Sequence, residues 1–345
     1  MHHRLLMGST ALVGASILFA GATPAQAEIE VVLSGYTEFG GKAATDETLQ
    51  SSPDRGYTFF MDNEVHIEAT GVSDGGMTYG SYLELEVGSG DATQTNAFVD
   101  EVNLFFSGGF GRVELGQQDG AEDVMFVGGE DAQAGTGGID GDTANLTSVI
   151  NLRNTSDATK ATYFTPRVGG FQLGASYIPD TGSDGGGDNT PGDSENNFGG
   201  GVNWVGAFGG IDLTLSAVGI IGDGETDDTD DRRDYVVGGL LGVGGLSFGA
   251  SWGQLLDEGE ADFVQLGLKY GFGAANASVG YMYVDEDDLA DEQHLFVVSG
   301  DVGLAPGLTL KGDVSYNSDD PGNDDSDGAD QDDTIAGVVS VQLDY

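Results

Sequence analysis

YTFFMDNEVHIEA, residues 57–69, decides the fold. Phe59, Met61, Val65 and Ile67 fall on one parity, and Asp62, Glu64, His66 and Glu68 on the other. Successive side chains of a strand point to opposite faces, so this is a strand with one apolar and one acidic face. The pattern repeats on both sides. Upstream, Ile29, Val31, Leu33, Thr37 and Phe39 alternate with Glu30, Ser34, Tyr36 and Glu38. Downstream, Ser73-Asp74-Gly75-Gly76 makes a tight turn. Met77, Tyr79, Leu83, Leu85 and Val87 then oppose Tyr82, Glu84 and Glu86.

The unit continues to the end of the chain. Further strands are read at 98–106, 111–118, 158–166, 171–178, 198–207, 211–221, 235–241, 246–255, 262–270, 275–284, 293–302, 308–317 and 334–345. About sixteen strands result, and short glycine turns alternate with longer acidic loops. An all-β, even-stranded antiparallel transmembrane barrel has this layout, with turns on the periplasmic rim and loops outside. Tyr79, Phe171, Tyr177, Trp204, Trp252, Tyr270, Tyr281, Tyr283, Tyr316 and Tyr345 lie on the apolar parity, mostly near strand ends. Membrane-interface girdles put aromatics there, whereas a soluble sandwich has no reason to. The last strand alternates Ile335, Val339, Val341 and Leu343 up to a terminal Tyr345.

Met1-His2-His3-Arg4, an apolar run to Gly21 and Ala25-Gln26-Ala27 form a secretory leader with expected cleavage after Ala27. Residues 28–345 would then be the mature barrel. The net charge is −47 and becomes one unit more negative without Arg4. Such a surface excludes nucleic acid, whose phosphates require a basic face, and favours cations and a salty medium. With no cysteine, the exported chain has no disulfides for support. No stretch after Ala27 approaches the ~18–20 apolar residues of a spanning helix, so any membrane crossing falls to strands of ~9–11 residues.

One segment breaks the rhythm. Residues 119–157 form a long polar stretch without periodicity, and loops of that length in compact folds are usually functional or disordered. We expect it to fold into the lumen and narrow the pore. Its acids Glu122, Asp123, Glu130, Asp131, Asp140 and Asp142 are the constriction candidates, against the plainer reading of solvated loop charge. The wall candidates are Glu38, Asp62, Glu64, His66 and Glu84, with Arg55, Arg112 and Lys160 as the basic ones. Rings of carboxylates select cations.

Other motifs are weaker. Asn323-Asp324-Asp325-Ser326-Asp327-Gly328 begins like a calcium loop but has Thr334 where the twelfth-position glutamate belongs. Weak Ca2+ or Mg2+ binding at the acidic external loops, including bridging to lipopolysaccharide, is the most that pattern supports; no cofactor is expected. Gly137-Gly138-Ile139-Asp140-Gly141-Asp142 resembles one unit of a calcium β-roll without the tandem copies that fold needs. Only His66 and His294 remain after the leader, neither in a triad context, and no zinc constellation or nucleotide loop is present. Enzymatic function is not expected.

Three stretches resemble the Gram-negative porins of the Rhodobacter type. They are EIEVVLSGY at 28–36, LFFSGGFGRVELG at 104–116 followed by DGA at 119–121, and ATYFTP at 161–166 with GFQLGASY at 170–177. The resemblance implies an outer-membrane homotrimer of sixteen-stranded barrels, each with its third external loop folded inward as an eyelet. It also implies passive diffusion of small hydrophilic solutes. Family eyelets set acidic loop residues against a cluster of arginines and lysines on the wall; the early strands here carry carboxylates at those lumen positions. The expectation is therefore a cation-preferring diffusion channel. A substrate-specific channel and, more remotely, an acidic calcium-binding surface protein are the alternatives.

Overall fold

The computed structural model describes residues 29–45, 56–87, 97–143, 155, 157–181, 194–224, 231–256, 260–286, 291–321 and 333–345. The leader, Arg55 and the centres of the acidic external loops, including the 323–328 motif, lie outside the described residues. Sixteen strands form: β1 Glu30–Ala44, β2 Tyr57–Val72, β3 Thr78–Val87, β4 Ala97–Gly108, β5 Gly111–Gln117, β6 Thr159–Phe164, β7 Phe171–Asp180 and β8 Ser194–Phe208. They continue as β9 Ile211–Gly224, β10 Arg232–Val243, β11 Leu246–Leu255, β12 Ala261–Phe272, β13 Ala275–Glu286, β14 Asp291–Ala305, β15 Leu308–Pro321 and β16 Thr334–Asp344.

Each strand pairs antiparallel with its neighbours in sequence, and β1 closes on β16 from Tyr36↔Asp344 to Ala44↔Ala336. Gly35 and Tyr345 exchange both backbone hydrogen bonds at 3.0 Å, so the terminal residue completes the closure. A closed ring leaves no unpaired edge, the condition for strands in a bilayer, where exposed backbone groups find no water. Every predicted strand is present, and several run further than the sequence shows. β8, β9 and β10 extend toward the loop rim, taking in Glu195, Asp223 and Arg232–Asp234, because ladder pairing carries on past the point where alternation fades. The 209–210 turn shows why the other rim is glycine-rich. Gly209 and Gly210 adopt φ of +59° and +87°, which suits a two-residue hairpin whose twist matches the strands.

Outward residues are apolar and exposed: Phe59 69%, Val298 63%, Leu33 61% and Val339 61%. The girdle aromatics Phe171, Tyr177, Trp252, Tyr270, Tyr316 and Tyr345 share this exposed face, several in ring contact, as Phe171 with Trp204. No helix among the described residues is long and apolar enough to cross a membrane, so strands present the apolar belt.

The inward parity departs from the expected polar face on one side. Ile220, Val236, Leu255, Phe263, Met282, Val284, Leu295 and Val297 point inward from β9–β14 and are buried together. Over part of their length these strands are apolar on both faces, as the adjacent pairs Val236–Val237 and Val297–Val298 show. The cluster includes Met125, Phe126 and Ile139 of the long segment, which supplies the reason: this part of the wall is a packing surface.

Candidate functional site: the lumen and its inward segment

The segment after β5 turns into the barrel and runs along the inside of the wall. It holds one helical turn, Ala121–Val124, and two short 3-10 turns, Glu130–Ala132 and Gly138–Asp140. A buried irregular chain must find partners for its peptide groups outside a regular ladder. The wall supplies them as side-chain oxygens. Ala121 N–H donates to Ser176 Oγ on β7 (2.7 Å), Val127 N–H to Ser216 Oγ on β9 (3.0 Å) and Ala134 N–H to Ser278 Oγ on β13 (2.8 Å). Gly135 N–H donates to Asp301 Oδ2 on β14 (3.2 Å) and Thr136 N–H to Asp313 Oδ2 on β15 (3.0 Å). Ser315 Oγ returns a bond to Thr143 O (2.9 Å), and Lys269 Nζ on β12 one to Asp131 O (3.3 Å).

Glycines complete the seat. A Cβ added at Gly238, Gly249 or Gly267 would lie 2.0, 2.1 or 2.0 Å from the carbonyl oxygens of Val127, Gly128 and Gly129. The segment rests directly on wall backbone, and Met125, Phe126 and Ile139 anchor it in the apolar cluster.

Across the lumen, β1–β4 carry acids. Tyr36 Oη lies 2.8 Å from Asp62 Oδ2 and 2.7 Å from Glu64 Oε1. Tyr82 Oη donates to Glu84 Oε2 (2.6 Å). His66 Nε2 sits between Glu64 Oε2 (3.1 Å) and Glu84 Oε2 (3.5 Å). Lys311 Nζ reaches Glu38 Oε2 at 3.2 Å. Arg112 pairs with Glu114 on its own strand and stacks over Phe105, 4.2 Å from the ring centre. Both basic side chains are thus taken up by neighbouring carboxylates.

The predicted site residues separate into groups. Glu38, Asp62, Glu64, His66 and Glu84 share the lumen parity and meet as one wall. Glu122 is fully buried; its Oε1 accepts from Thr155 Oγ1 (2.8 Å), and its carboxylate lies against Gly199 of β8. Asp123 is buried beside it. Lys160 is also buried, with its Nζ donating to the Gln118 carbonyl. Asp131 Oδ2 accepts from Gly128 N–H (2.7 Å) and so closes the segment on itself. Glu130, Asp140 and Asp142 are half-buried. Arg55 lies outside the described residues. Burial, with Glu38 next, holds the Asp142 carboxyl up to about 6, Lys42 opposing. Burial and Asp123, Glu101 and Asp157 hold Asp119 well above the usual carboxylate range, offset by Lys160.

Sequence reading missed Glu101, Asp313, Lys311 and the seat serines. Their parity was legible: Ser278 and Gly280, or Asp313 and Ser315, alternate with outward Val279 and Val314. What was missing was a reason to expect a chain lying against them. Among the described residues, three groups bring ligand atoms within 4.8 Å of one another: Glu64, His66 and Glu84; Asp62, Glu64 and Glu86; and Glu101, Asp119 and Asp157.

The sequence profile of Gram-negative porins matches residues 8–323. The chain belongs to the Gram-negative porin family. That membership places the barrel in the bacterial outer membrane, among channels that catalyse nothing and carry no cofactor. The fold is shared with an anion-selective porin from Comamonas acidovorans at TM-score 0.69 and 16% identity, covering 92% of this chain and all of that one. A substituted porin of Rh. blastica aligns at TM-score 0.66 and 18% identity, over 91% of this chain and all of that one. An uncharacterised protein of Rickettsia felis is 31% identical in a 119-residue alignment that covers 27% of this porin and 27% of that protein.

Proposed function

We propose that this porin is a water-filled, cation-preferring channel for passive diffusion of ions and small hydrophilic solutes, working as a homotrimer. The observation that carries the reading is the asymmetry of the lumen. Glu38, Asp62, Glu64 and Glu84 form one wall, and the inward segment carries Glu130 and Asp140 along the β11–β14 side before bringing Asp142 back within electrostatic reach of Glu38 and Asp62. Of the basic side chains around that wall, Arg112 and Lys311 are each held by a carboxylate, and Lys42 on β1 lies over the Phe60 ring, 5.6 Å from its centre, within reach of Asp142. A shared fold does not set the sign of selectivity, since the Comamonas neighbour is an anion-selective porin. The lining sets it.

A unit charge ~4 Å away is worth ~1 kcal/mol in bulk water and ~4 kcal/mol at an effective dielectric of ~20. Two or three such carboxylates therefore enrich a permeating cation by about tenfold or more, at ~1.4 kcal/mol per decade. The buried members Glu122 and Asp123 serve to hold the segment, and the half-buried Glu130, Asp140 and Asp142 carry the charge that solutes meet. The trimer is supported by the family, whose members are generally trimers, and heat-modifiable migration on a gel tests it.

The test is the reversal potential of single channels in a planar bilayer under a salt gradient. A cation-selective potential that falls when Glu130→Gln and Asp142→Asn are combined supports the reading. An anion-selective or neutral potential in the unmodified protein overturns the electrostatic account.

A further inference from the structure

We infer that Glu64, His66 and Glu84 form a site for one divalent transition-metal ion of the Zn2+ class on the lumen wall. The site is built by strand register. Glu64 and His66 are two apart on β2 and share its inward face, and β3 sets Glu84 directly opposite His66. No linear motif encodes this, which is why the sequence shows no zinc constellation.

The distances match an ordinary hydrogen-bonded pair and equally the spacing between ligands of one metal ion. Tetrahedral ligands at ~2.0–2.1 Å from Zn2+ stand about 3.3–3.4 Å from one another. His66 Nε2 is 3.1 Å from Glu64 Oε2 and 3.5 Å from Glu84 Oε2, and all three ligand atoms lie within 4.8 Å of one another. The imidazole nitrogen is thus placed between two carboxylate oxygens at ligand–ligand spacing.

The surroundings orient these groups. Tyr36 Oη binds Glu64 through Oε1, leaving Oε2 directed at His66. Tyr82 Oη donates to Glu84 Oε2 (2.6 Å), the same oxygen that faces His66, which keeps a second lone pair for a metal. Hydrogen bonds of this kind, to the ligands from outside, fix ligand orientation in metal centres. Side-chain exposures of 16% for His66 and 14% for Glu84, against 7% for Glu64, leave the site open to the lumen for a fourth ligand such as water. Two carboxylates and a neutral imidazole balance a dication, and Asp62 and Glu86, grouped with Glu64, add negative field. The imidazole is the discriminating ligand, since Mg2+ and Ca2+ prefer oxygen donors alone.

Isothermal titration of the folded porin with Zn2+ in excess Mg2+, which occupies the oxygen-only acidic loops, tests the site. One high-affinity Zn2+ per chain is expected. His66→Ala should weaken binding by more than ~100-fold, since even a group supporting a ligand from outside is worth ~10–100-fold. Co2+ in place of Zn2+ should give the visible absorption of a low-symmetry nitrogen–oxygen site in the unmodified protein and lose it in the variant. Glu84→Gln, which keeps the shape of the side chain, serves as a second variant should His66→Ala fail to migrate as folded barrel. Zn2+ binding unchanged in the variants, or absent from the unmodified protein, overturns the site and leaves the channel reading intact. His66-dependent Zn2+ binding by a protein that passes no current supports the site while removing the channel reading.

Discussion

Gly249→Ala separates the inward segment from the barrel that holds it. The new Cβ would stand 2.1 Å from Gly128 O and 3.2 Å from Gly129 Cα, where ordinary contact begins near 3.4 Å. The wall at this point is ladder backbone, with Gly249 paired to Leu240 and Gly267, so the segment is what retreats, by about 1 Å. A shift of ~1 Å takes the 3.0 Å Val127–Ser216 bond beyond hydrogen-bond range. It strains the Ala134–Ser278 bond as well. At ~0.5–1.5 kcal/mol for each bond, the seating weakens by about 1–3 kcal/mol, or a factor of roughly 5–150 in occupancy. The barrel itself moves the other way, because Gly→Ala in a strand removes unfolded-state entropy worth ~0.4–1 kcal/mol. The variant should therefore fold and migrate as a heat-modifiable barrel while showing larger, noisier single-channel conductance and admitting larger sugars in liposome swelling. Gly109→Ala, whose Cβ meets nothing within 4 Å, is the matched control and should leave conductance unchanged. Wild-type conductance and size limit in Gly249→Ala would refute the claim that these glycines seat the segment.

The same seat predicts further outcomes. Asp313→Ala strips Thr136 of the acceptor for both its N–H and its hydroxyl, and should cost the segment about 1.5–3 kcal/mol; protease nicking within 121–143 of folded protein would register it. Asp142, held up to about 6, is neutral below that value, so cation selectivity should drop as pH falls from 7.5 to 5, and Asp142→Asn should flatten the change. The linkage has the opposite sign: a raised carboxyl binds more protons folded than unfolded, so its contribution to seating is full below ~3.9 and is lost as pH rises through about 6. Asp119, raised in the same direction, adds to that trend, and nicking rates compared at pH 5 and 7.5 would detect it.

Period-two alternation was enough to read the sixteen strands, the direction of the lipid face and the acid-bearing parity of β1–β3, because a strand's side chains answer to local geometry alone. Alternation said less at β10, where Val236 and Val237 are both apolar and the inward one is buried against other wall residues and the inward segment rather than facing water. Six acids of the 119–157 segment looked alike in sequence, yet Glu122 is enclosed against Gly199 while Glu130, Asp140 and Asp142 stay half-exposed. Likewise, nothing linear pairs His66 with Glu84 or Thr136 with Asp313, which is 177 positions away. The sequence by itself determined which residues could face the lumen. Only closure of the barrel decided which of them meet, because register and the path of the inward segment are set by pairings and contacts between parts of the chain far apart in sequence.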